Sequence, residues 1–243
     1  MQHLLRYKIA FVLSAFLCCP LLGISQLRDG INLPDHDEKE FHFGINLGLN
    51  RSHFSFTHHP IFMQRDSVMV VESINSTGLN LAWLVDKRLS EHFNLRTFPL
   101  DLTFTEKAFE YNLKYPDRPG GEDSITIKKV QSISLTFPLQ LKFSSDRIGN
   151  FKVYMMGGGK VEFDMAANAG AKKAENLIKL NRLDYGIEAG LGFHFYYPYF
   201  VLTPEVKIGW GLGNLHARDK DLKFSNVIDK INSRTITFSL TVE

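Results

Sequence analysis

The most regular feature of this sequence is an alternation of apolar and polar residues that recurs along the chain after residue 40. In the first such stretch, large apolar residues occupy every second position: Phe41, Phe43, Ile45, Leu47 and Leu49. A period of two is typical of β-strands with one apolar and one polar face. Eight stretches follow this pattern, and they predict eight strands at residues 41–50, 78–85, 97–104, 132–143, 151–163, 183–195, 202–212 and 235–242.

The two faces are clearly separated in the third predicted strand and less clearly in the fifth. In the third strand, the apolar face is predicted to comprise Phe98, Leu100, Leu102 and Phe104. In the fifth strand, Met155 and Met156 blur the two faces, and three glycines follow at residues 157–159. Because these glycines lie within a strand and no helix follows them, we predict a barrel bend or bulge and not a phosphate-binding loop.

The composition of the polar faces distinguishes between two all-β architectures. The outer face of a soluble sandwich tends toward long charged side chains, whereas the polar faces of these strands are mostly Gly, Asn, Ser and Thr. Small polar residues suit the interior of a narrow closed barrel, and the Phe- and Leu-rich faces would then contact lipid. We therefore predict an all-β fold: an eight-stranded antiparallel up-and-down transmembrane β-barrel that spans residues 41–243.

The lengths of the connections between predicted strands alternate in the manner of outer-membrane barrels. Residues 86–92, 144–150 and 196–199 form short connections, and residues 55–73, 105–124, 164–182 and 213–233 form long ones. The short turns and both termini are predicted to be periplasmic, and the long loops extracellular. Residues 166–180 have the composition of a short helix within the third long loop.

The first 25 residues predict a secretory signal peptide, because a basic start is followed by an apolar run and small residues at cleavage spacing. Without Arg6 and Lys8 the chain has 26 Lys and Arg against 26 Asp and Glu, so no basic surface predicts nucleic-acid binding. Cys18 and Cys19 lack the small preceding residue that lipoprotein processing requires. Residues 26–40 form an acidic periplasmic tail, which either binds a periplasmic protein or is a solvated leader.

Charged residues on the polar faces are predicted to point into the barrel, where unpaired charges are costly and paired ones are tolerated. These structural lumen charges are Asp101, Lys142, Lys152, Asp184, Glu188, Glu205 and Lys207. Glu188 and Lys207 lie on neighbouring strands and are predicted to form an ion pair. The expected lumen is salt-bridged and largely closed, and a gated conduit is the alternative.

The sequence offers no convincing catalytic, cofactor-binding or metal site. His53 and Ser55 share a face of the first strand, but a polar strand end that continues into a loop explains them better than a nucleophile and its base. His53, His58 and His59 lack the spacing of metal ligands, and Pro60 indicates a turn. We predict that the protein is not an enzyme and that it takes no cofactor and no small-molecule substrate.

Three segments resemble a known family: residues 41–50, the run Leu135-Thr-Phe-Pro-Leu-Gln-Leu-Lys-Phe143, and the glycine-rich run at 186–193. They are similar to the small outer-membrane β-barrels of Bacteroidota, and the whole mature chain resembles the PorT family within them. One departure is the end of the chain at Val242-Glu243, where many outer-membrane barrels have an aromatic residue.

The resemblance implies an integral outer-membrane component of the type IX secretion and gliding motility machinery, which exports proteins that carry a C-terminal signal. The expected partners are outer-membrane lipid and other secretion-system proteins in the outer membrane or periplasm. A small barrel enzyme that acts on lipid and a narrow passive pore remain as alternatives. Eight strands argue against a porin, since aqueous channels need about 16–18 strands.

Overall fold

The chain folds into a single curved sheet of antiparallel strands. The computed structural model describes residues 30–58, 68–114, 123–166, 180–217 and 228–243. The strands are β1 (Phe41–His58), β2 (Val68–Ile74), β3 (Ser76–Arg88), β4 (Phe93–Leu113), β5 (Ile125–Ser144), β6 (Phe151–Asp164), β7 (Leu183–Tyr196), β8 (Val201–Gly211) and β9 (Ile228–Val242). A short 3₁₀ turn, His36–Glu38, precedes them. Among the described residues, no helix has the length and apolar character to span a bilayer.

The sheet closes on itself, and this confirms the predicted eight-stranded barrel. Only Asn75 separates β2 from β3, and both pair with β4, so they act as one long interrupted strand. Around the wall the order is β3, β1, β9, β8, β7, β6, β5 and β4, and the pairing of β4 with β5 completes the circle. The short connections lie at one end of the barrel, the short-turn end, together with the start of β1 and the end of β9. The opposite end is the long-loop end.

The two faces of the wall differ in polarity. On β1, Leu47 and Leu49 are 60% and 64% exposed on the outer face, whereas Asn46 and Asn50 are buried in the interior. The same division holds on β7, where Leu191 points outward and His194 is buried. A barrel whose outer face is apolar and whose lumen is polar is suited to a hydrocarbon surrounding.

The prediction that Phe98 belongs to the outer apolar face is wrong. From Thr97 to Leu102, β4 advances five positions while β5 advances only four, from Leu139 to Leu135. The extra residue is a β-bulge at Phe98 and Pro99, and proline suits this place because it cannot donate to the ladder. Below the bulge, even-numbered residues of β4 point inward, and Phe98 is therefore fully buried in the lumen.

Several strands continue into the segments that were predicted as long loops. β1, β4 and β5 have 18, 21 and 20 residues, about twice the 9–11 residues that cross a bilayer. The predicted loops at 55–73, 105–124 and 213–233 are thus strand over part of their length. The predicted helix at 166–180 lies almost entirely outside the described residues, and so does the signal peptide.

Toward the long-loop end the interior of the wall becomes apolar and its outer face becomes mixed. Arg51 and Arg234 are exposed on the outside, and the inward positions carry an apolar cap, defined as Phe54, Val71, Phe109, Tyr111, Leu113, Leu180, Leu215, Ile228 and Ile231. Phe54 and Phe109 stack with their ring centroids 5.1 Å apart. The outer face at this level is mixed, because Met69, Ile125 and Ile127 are also exposed there. The cap section therefore extends beyond the continuous apolar band of the wall.

The short-turn end carries a belt of aromatic residues on its outer face. Examples of close pairs are Phe93 with Phe143 and Phe151 with Phe195, whose ring centroids lie 5.1 and 5.2 Å apart. The belt also includes Phe41, Phe43, Phe193, Tyr197 and Phe200. Aromatic belts of this kind mark the level of lipid headgroups in membrane barrels.

Candidate functional site

The centre of the lumen is occupied by Arg96, which the bulge in β4 turns inward. Its guanidinium donates hydrogen bonds to Asp86 on β3, at 3.1 and 3.2 Å, and to Glu205 on β8, at 2.7 Å. It also donates to the hydroxyl of Tyr154 on β6 at 3.2 Å. Arg96, Asp86 and Glu205 have side chains with no exposed surface. One arginine therefore connects strands from three sides of the barrel.

Further charged and aromatic side chains complete this cross-section of the lumen. We term it the arginine layer, and it consists of Asp86, Arg96, Phe98, Lys142, Tyr154 and Glu205. The ammonium of Lys142 donates to Asp86, and the Tyr154 hydroxyl donates to Glu205. Glu205 also forms an ion pair with Lys207 at 3.4 Å, and the Lys207 ammonium lies 4.5 Å from the centre of the Phe98 ring. Each buried charge thus has an oppositely charged partner, which offsets the cost of its removal from water.

A polar cavity of about 40 Å³ lies on the long-loop side of the arginine layer. Lys160 and Glu162 form an ion pair at 3.2 Å on its wall. Asp101 accepts a hydrogen bond from Asn80. The cavity has room for very few water molecules, which its polar lining can hydrogen-bond.

The structure places the predicted lumen charges at four levels. Glu205 and Lys142 lie in the arginine layer, whereas Asp101, Glu188 and Lys207 line the cavity above it. Asp184 is buried near the long-loop end and accepts a hydrogen bond from the Gly213 amide. Lys152 lies at the short-turn end.

The predicted ion pair between Glu188 and Lys207 is replaced by other contacts. Lys207 pairs with Glu205 on its own strand, and Glu188 accepts a hydrogen bond from Gln140. Both side chains line the same cavity. The prediction placed Glu188 and Lys207 in the same part of the lumen, which is correct, but it paired them with each other, which is wrong.

Among the described residues, the lumen charges that sequence reasoning missed include Asp86, Arg96, Lys160, Glu162 and Glu243. Asp86 was assigned to a short turn, although β3 continues to Arg88. Arg96 was missed because the alternation of β4 changes phase at Pro99: the apolar residues are odd-numbered below it, at Phe93 and Leu95, and even-numbered above it. This change of phase is visible in the sequence and is the signal that could have identified Arg96.

The lumen is closed where the structure describes it. A second cavity of about 20 Å³ lies at the short-turn end, and it shares no lining residue with the larger one. The arginine layer lies between the two, with Arg96, Phe98 and Tyr154 0–2% exposed. At the long-loop end the apolar cap fills the interior. A continuous aqueous path is therefore blocked at two levels of the described barrel.

The short-turn mouth is covered by residues 33–40, which we term the strap. Its Asp37 accepts hydrogen bonds from the Tyr196 hydroxyl at 2.7 Å and from Lys152 at 3.3 Å. Arg147 lies 3.7 Å from the same carboxylate. Although burial raises the pKa of Asp37, the bond from Tyr196 and the charge of Lys152 hold it below its usual 3.8.

The histidine next to Asp37 lies over the mouth. Its ring is 4.6 Å from that of His42, whose Nε2 is 2.7 Å from the His36 carbonyl. Burial, and then the charge of His42, lowers the pKa of His36 from 6.5 to about 4. The acidic tail predicted at 26–40 is thus attached to the barrel through its last eight residues.

The candidate catalytic and metal residues are not assembled into a site. Because Ser52 and Phe54 point inward, His53 and Ser55 lie on the outer face of β1. His59 lies outside the described residues, and so does the side chain of His58. In the described part, Glu91, His92 and Asp146 are close enough to share a metal ion, but they lie on exposed turns and nothing further supports a site there.

The glycine run at residues 157–159 forms no bulge, which was one of the two features predicted for it. β6 pairs in regular register with β5 and β7 through all three glycines. A Cβ atom on Gly158 would collide with the Leu139 carbonyl oxygen. The small residue is therefore needed for a close approach of two strands.

Comparisons with known proteins agree with this architecture. The family model described as outer membrane protein beta-barrel domain matches residues 25–217. No curated protein sequence matches the chain. The outer membrane protein OprG from Pseudomonas aeruginosa is 12% identical with a TM-score of 0.46, and the match covers 82% of this chain and 93% of that one.

Two further solved barrels are similar to the chain. Neisserial surface protein A is 9% identical, with a TM-score of 0.43 over 84% of this chain and 99% of that one. AlkL, solved in lipid bilayers, is 14% identical, with a TM-score of 0.36 over 89% and 90%.

Proposed function

Because the chain belongs to the outer membrane protein beta-barrel domain family, and is a small eight-stranded barrel of the outer membrane, we propose that it is a component of the type IX protein secretion system. In this proposal it is needed for the assembly or operation of the machinery that exports proteins with a C-terminal signal. The attribution to this system is supported by the resemblance of residues 41–50, 135–143 and 186–193 to the PorT family.

The observation that best supports the proposed role is the ion pair between Arg96 and Glu205, which spans the lumen. A barrel closed in this way is poorly suited to passing solutes or polypeptides through its interior. Its contribution to secretion would then come from its surfaces: the lipid-facing wall, the strap and mouth, and the long-loop end. The proposed partners are outer-membrane lipid and other secretion-system proteins in the outer membrane or periplasm.

The proposal includes an orientation. The short-turn end, with the strap and the end of β9, faces the periplasm, and the long-loop end faces the exterior. This matches the short periplasmic turns and longer outer loops of outer-membrane barrels. The exposed side chains of Arg51 and Arg234, at the level of the apolar cap, would then lie in water outside the cell.

The proposed role is not enzymatic. A lipid-modifying barrel needs a nucleophile and a base within hydrogen-bond distance of one another. The charged groups of the arginine layer and of the cavity wall are engaged in ion pairs. The buried pair His194 and Thr203, 2.8 Å apart, lies inside the closed barrel, where a lipid chain has no access. A narrow passive pore is disfavoured by the same closure.

Deletion of the gene followed by cell fractionation tests the proposal. Proteins with the C-terminal secretion signal are expected to accumulate in the periplasm, and the wild-type gene is expected to restore their export. Normal export in the deletion strain would refute the role in secretion. Lipid analysis of the same strain separates the alternatives, because altered acylation would point to an enzyme.

A further inference from the structure

The mouth of the barrel contains a carboxylate site formed by Arg147, Lys152 and Tyr196, which we term the socket. In the structure it holds the side chain of Asp37 from the strap. The side chains of Arg147 and Lys152 are 12% and 13% exposed, and that of Asp37 is 30% exposed. The two cations are thus shielded from solvent, whereas their ligand is accessible from outside.

The socket is held in place by groups other than its ligand. The Arg147 guanidinium donates to the Gly149 carbonyl at 2.8 Å and to Asn150 Oδ1 at 3.2 Å. It also lies 3.6 Å from the centre of the Tyr196 ring. These contacts come from the β5–β6 turn and the end of β7, so the cation is already positioned before a carboxylate arrives. Preorganisation of this kind lowers the cost of binding.

Most other contacts to the strap are made with its backbone. Arg147 donates to the Leu33 carbonyl at 3.1 Å, and Arg88 donates to the Glu38 carbonyl at 3.2 Å. The Arg88 amide donates to the Glu40 carbonyl at 2.8 Å. Carbonyl groups are common to all peptides. The mouth therefore recognises an acidic side chain on a peptide backbone. The strap adds ring contacts of His36 with His42 and Tyr196, and an exposed ion pair of Glu40 with Lys87.

The strap itself is bound imperfectly. Leu33 has a φ of 48°, in the left-handed region that is unfavourable for a residue with a Cβ. His36 Nδ1 is buried without a hydrogen-bond partner among the described residues. The one regular element of the strap is a 3₁₀ turn of three residues, too short to be stable alone. These features weaken the binding of the strap to the mouth, although the socket itself favours the carboxylate of Asp37.

We propose that the socket is a binding site for an acidic peptide segment of another protein, and that the strap is a tethered occupant which such a segment displaces. The tether keeps Asp37 at high effective concentration, so the site is filled until a better ligand arrives. Displacement uncovers His42, Lys152 and Tyr196 at the mouth and leaves the arginine layer intact. The proposal rests on the geometry of the mouth and holds whether or not the protein serves in secretion.

The test measures binding of a fluorescein-labelled peptide, Leu-Pro-Asp-His-Asp-Glu-Lys-Glu, to the purified full-length barrel in detergent by fluorescence anisotropy. Asp37→Asn in the barrel weakens the tethered occupant, and we expect the variant to bind the free peptide about tenfold more tightly than the wild type does. Adding Lys152→Gln to that variant should abolish the gain. A peptide with asparagine in place of Asp37 should bind about tenfold more weakly.

The matched control is Asp35→Asn, which removes the same charge from an exposed residue of the strap whose side chain makes no capping hydrogen bond. It should bind the peptide as the wild type does. Heat-modifiable migration on gels confirms that each variant is folded. Equal binding by Asp37→Asn and wild-type barrels, or equal binding of the two peptides, would overturn the proposal. Because no secretion is measured, this outcome is distinct from failure of the proposed function.

Discussion

Arg96 on β4 and Glu205 on β8 form an ion pair at 2.7 Å across the full width of the barrel. Three strands separate β4 from β8 in either direction around the wall, so the two residues come from opposite sides. Neither side chain has any exposed surface. This contact determines both how the lumen is closed and which substitutions the barrel should tolerate least.

Replacement of Arg96 by methionine should strongly destabilise the barrel. Asp86 and Glu205 would each lose a charged partner in a site without access to water, and breaking a buried pair typically costs about 3–5 kcal/mol. The free energy of unfolding can be measured by urea titration of the protein in lipid vesicles. Arg234→Met, at an exposed arginine on β9, is the control and should change stability by less than about 0.5 kcal/mol. Equal losses in the two variants would contradict a structural role for the arginine layer.

Replacement of Lys207 by methionine should destabilise the barrel without opening a channel. Lys207 pairs with Glu205 from the cavity side, while Arg96 and Tyr154 still fill the cross-section below. Single-channel recordings in planar bilayers should therefore show no large conductance for either the wild type or the variant. A large rise in conductance would be incompatible with a lumen closed by the arginine layer.

Deletion of Pro99 should prevent folding, whereas Pro99→Ala should not. The deletion removes the extra residue of the bulge, so Arg96 and Phe98 would turn outward if the rest of β4 kept its register. An arginine within the apolar band costs about 2–4 kcal/mol near the bilayer midplane. Folding is scored by heat-modifiable migration after refolding into detergent. A folded deletion variant would show that the bulge does not set the register of β4.

The apolar cap should behave as a protein core and the outer wall as a lipid contact. Phe109→Ala removes a fully buried ring that stacks on Phe54, and we expect a loss of about 3–5 kcal/mol. Phe238→Ala truncates a ring of the same size that is 61% exposed on the outer face of β9. Its effect should be much smaller. Urea unfolding of both variants in the same vesicles gives the comparison, and a reversed order would mean that the cap is not packed as described.

The attachment of the strap should weaken as the pH falls. Burial and the nearby His42 lower the pKa of His36 from 6.5 to about 4, so the docked strap resists protonation that the released strap accepts. Stability from this source is complete above pH 6.5 and is lost between pH 6.5 and about 4. Asp37, with a pKa held below 3.8, contributes a further loss only at lower pH.

Hydrogen exchange of residues 33–40 at several pH values, corrected for the intrinsic rate, measures this effect. Protection should decrease between pH 6.5 and 4 in the wild type. The variant His36→Gln should lack this decrease, because its side chain does not titrate in that range. The same decrease in both proteins would assign the effect to a group other than His36.

The strand pattern of the sequence was sufficient to predict the closed eight-stranded barrel, because alternation of polarity along a strand reports directly on its two faces. It located the buried positions of Asp101, Glu205 and Lys207 for the same reason. It assigned Phe98 to the wrong face because one bulge residue reverses the alternation of everything on one side of it.

The remaining features depend on contacts that no local pattern records. The partner of Lys207 is decided by side-chain geometry within a crowded lumen, where Glu205 is closer than Glu188. The attachment of the strap depends on Arg147, which lies 110 positions after Asp37 and is oriented by its own turn. The strands beyond the apolar band were predicted as loops because apolar residues lie on both faces there, for example Ile127 outside and Tyr111 inside. The alternation that identifies the other strands is therefore lost.

The place where the outward apolar row of a strand ends limits the membrane thickness that the protein fits. On β1 the outward apolar row ends at Leu49, and Arg51 is the next residue on that face. A bilayer thicker than the row must compress around the barrel or draw Arg51 and Arg234 into hydrocarbon, and each ångström of mismatch costs a fraction of a kcal/mol. The position of these two arginines therefore sets an upper limit to the bilayer thickness that the barrel fits without such a cost.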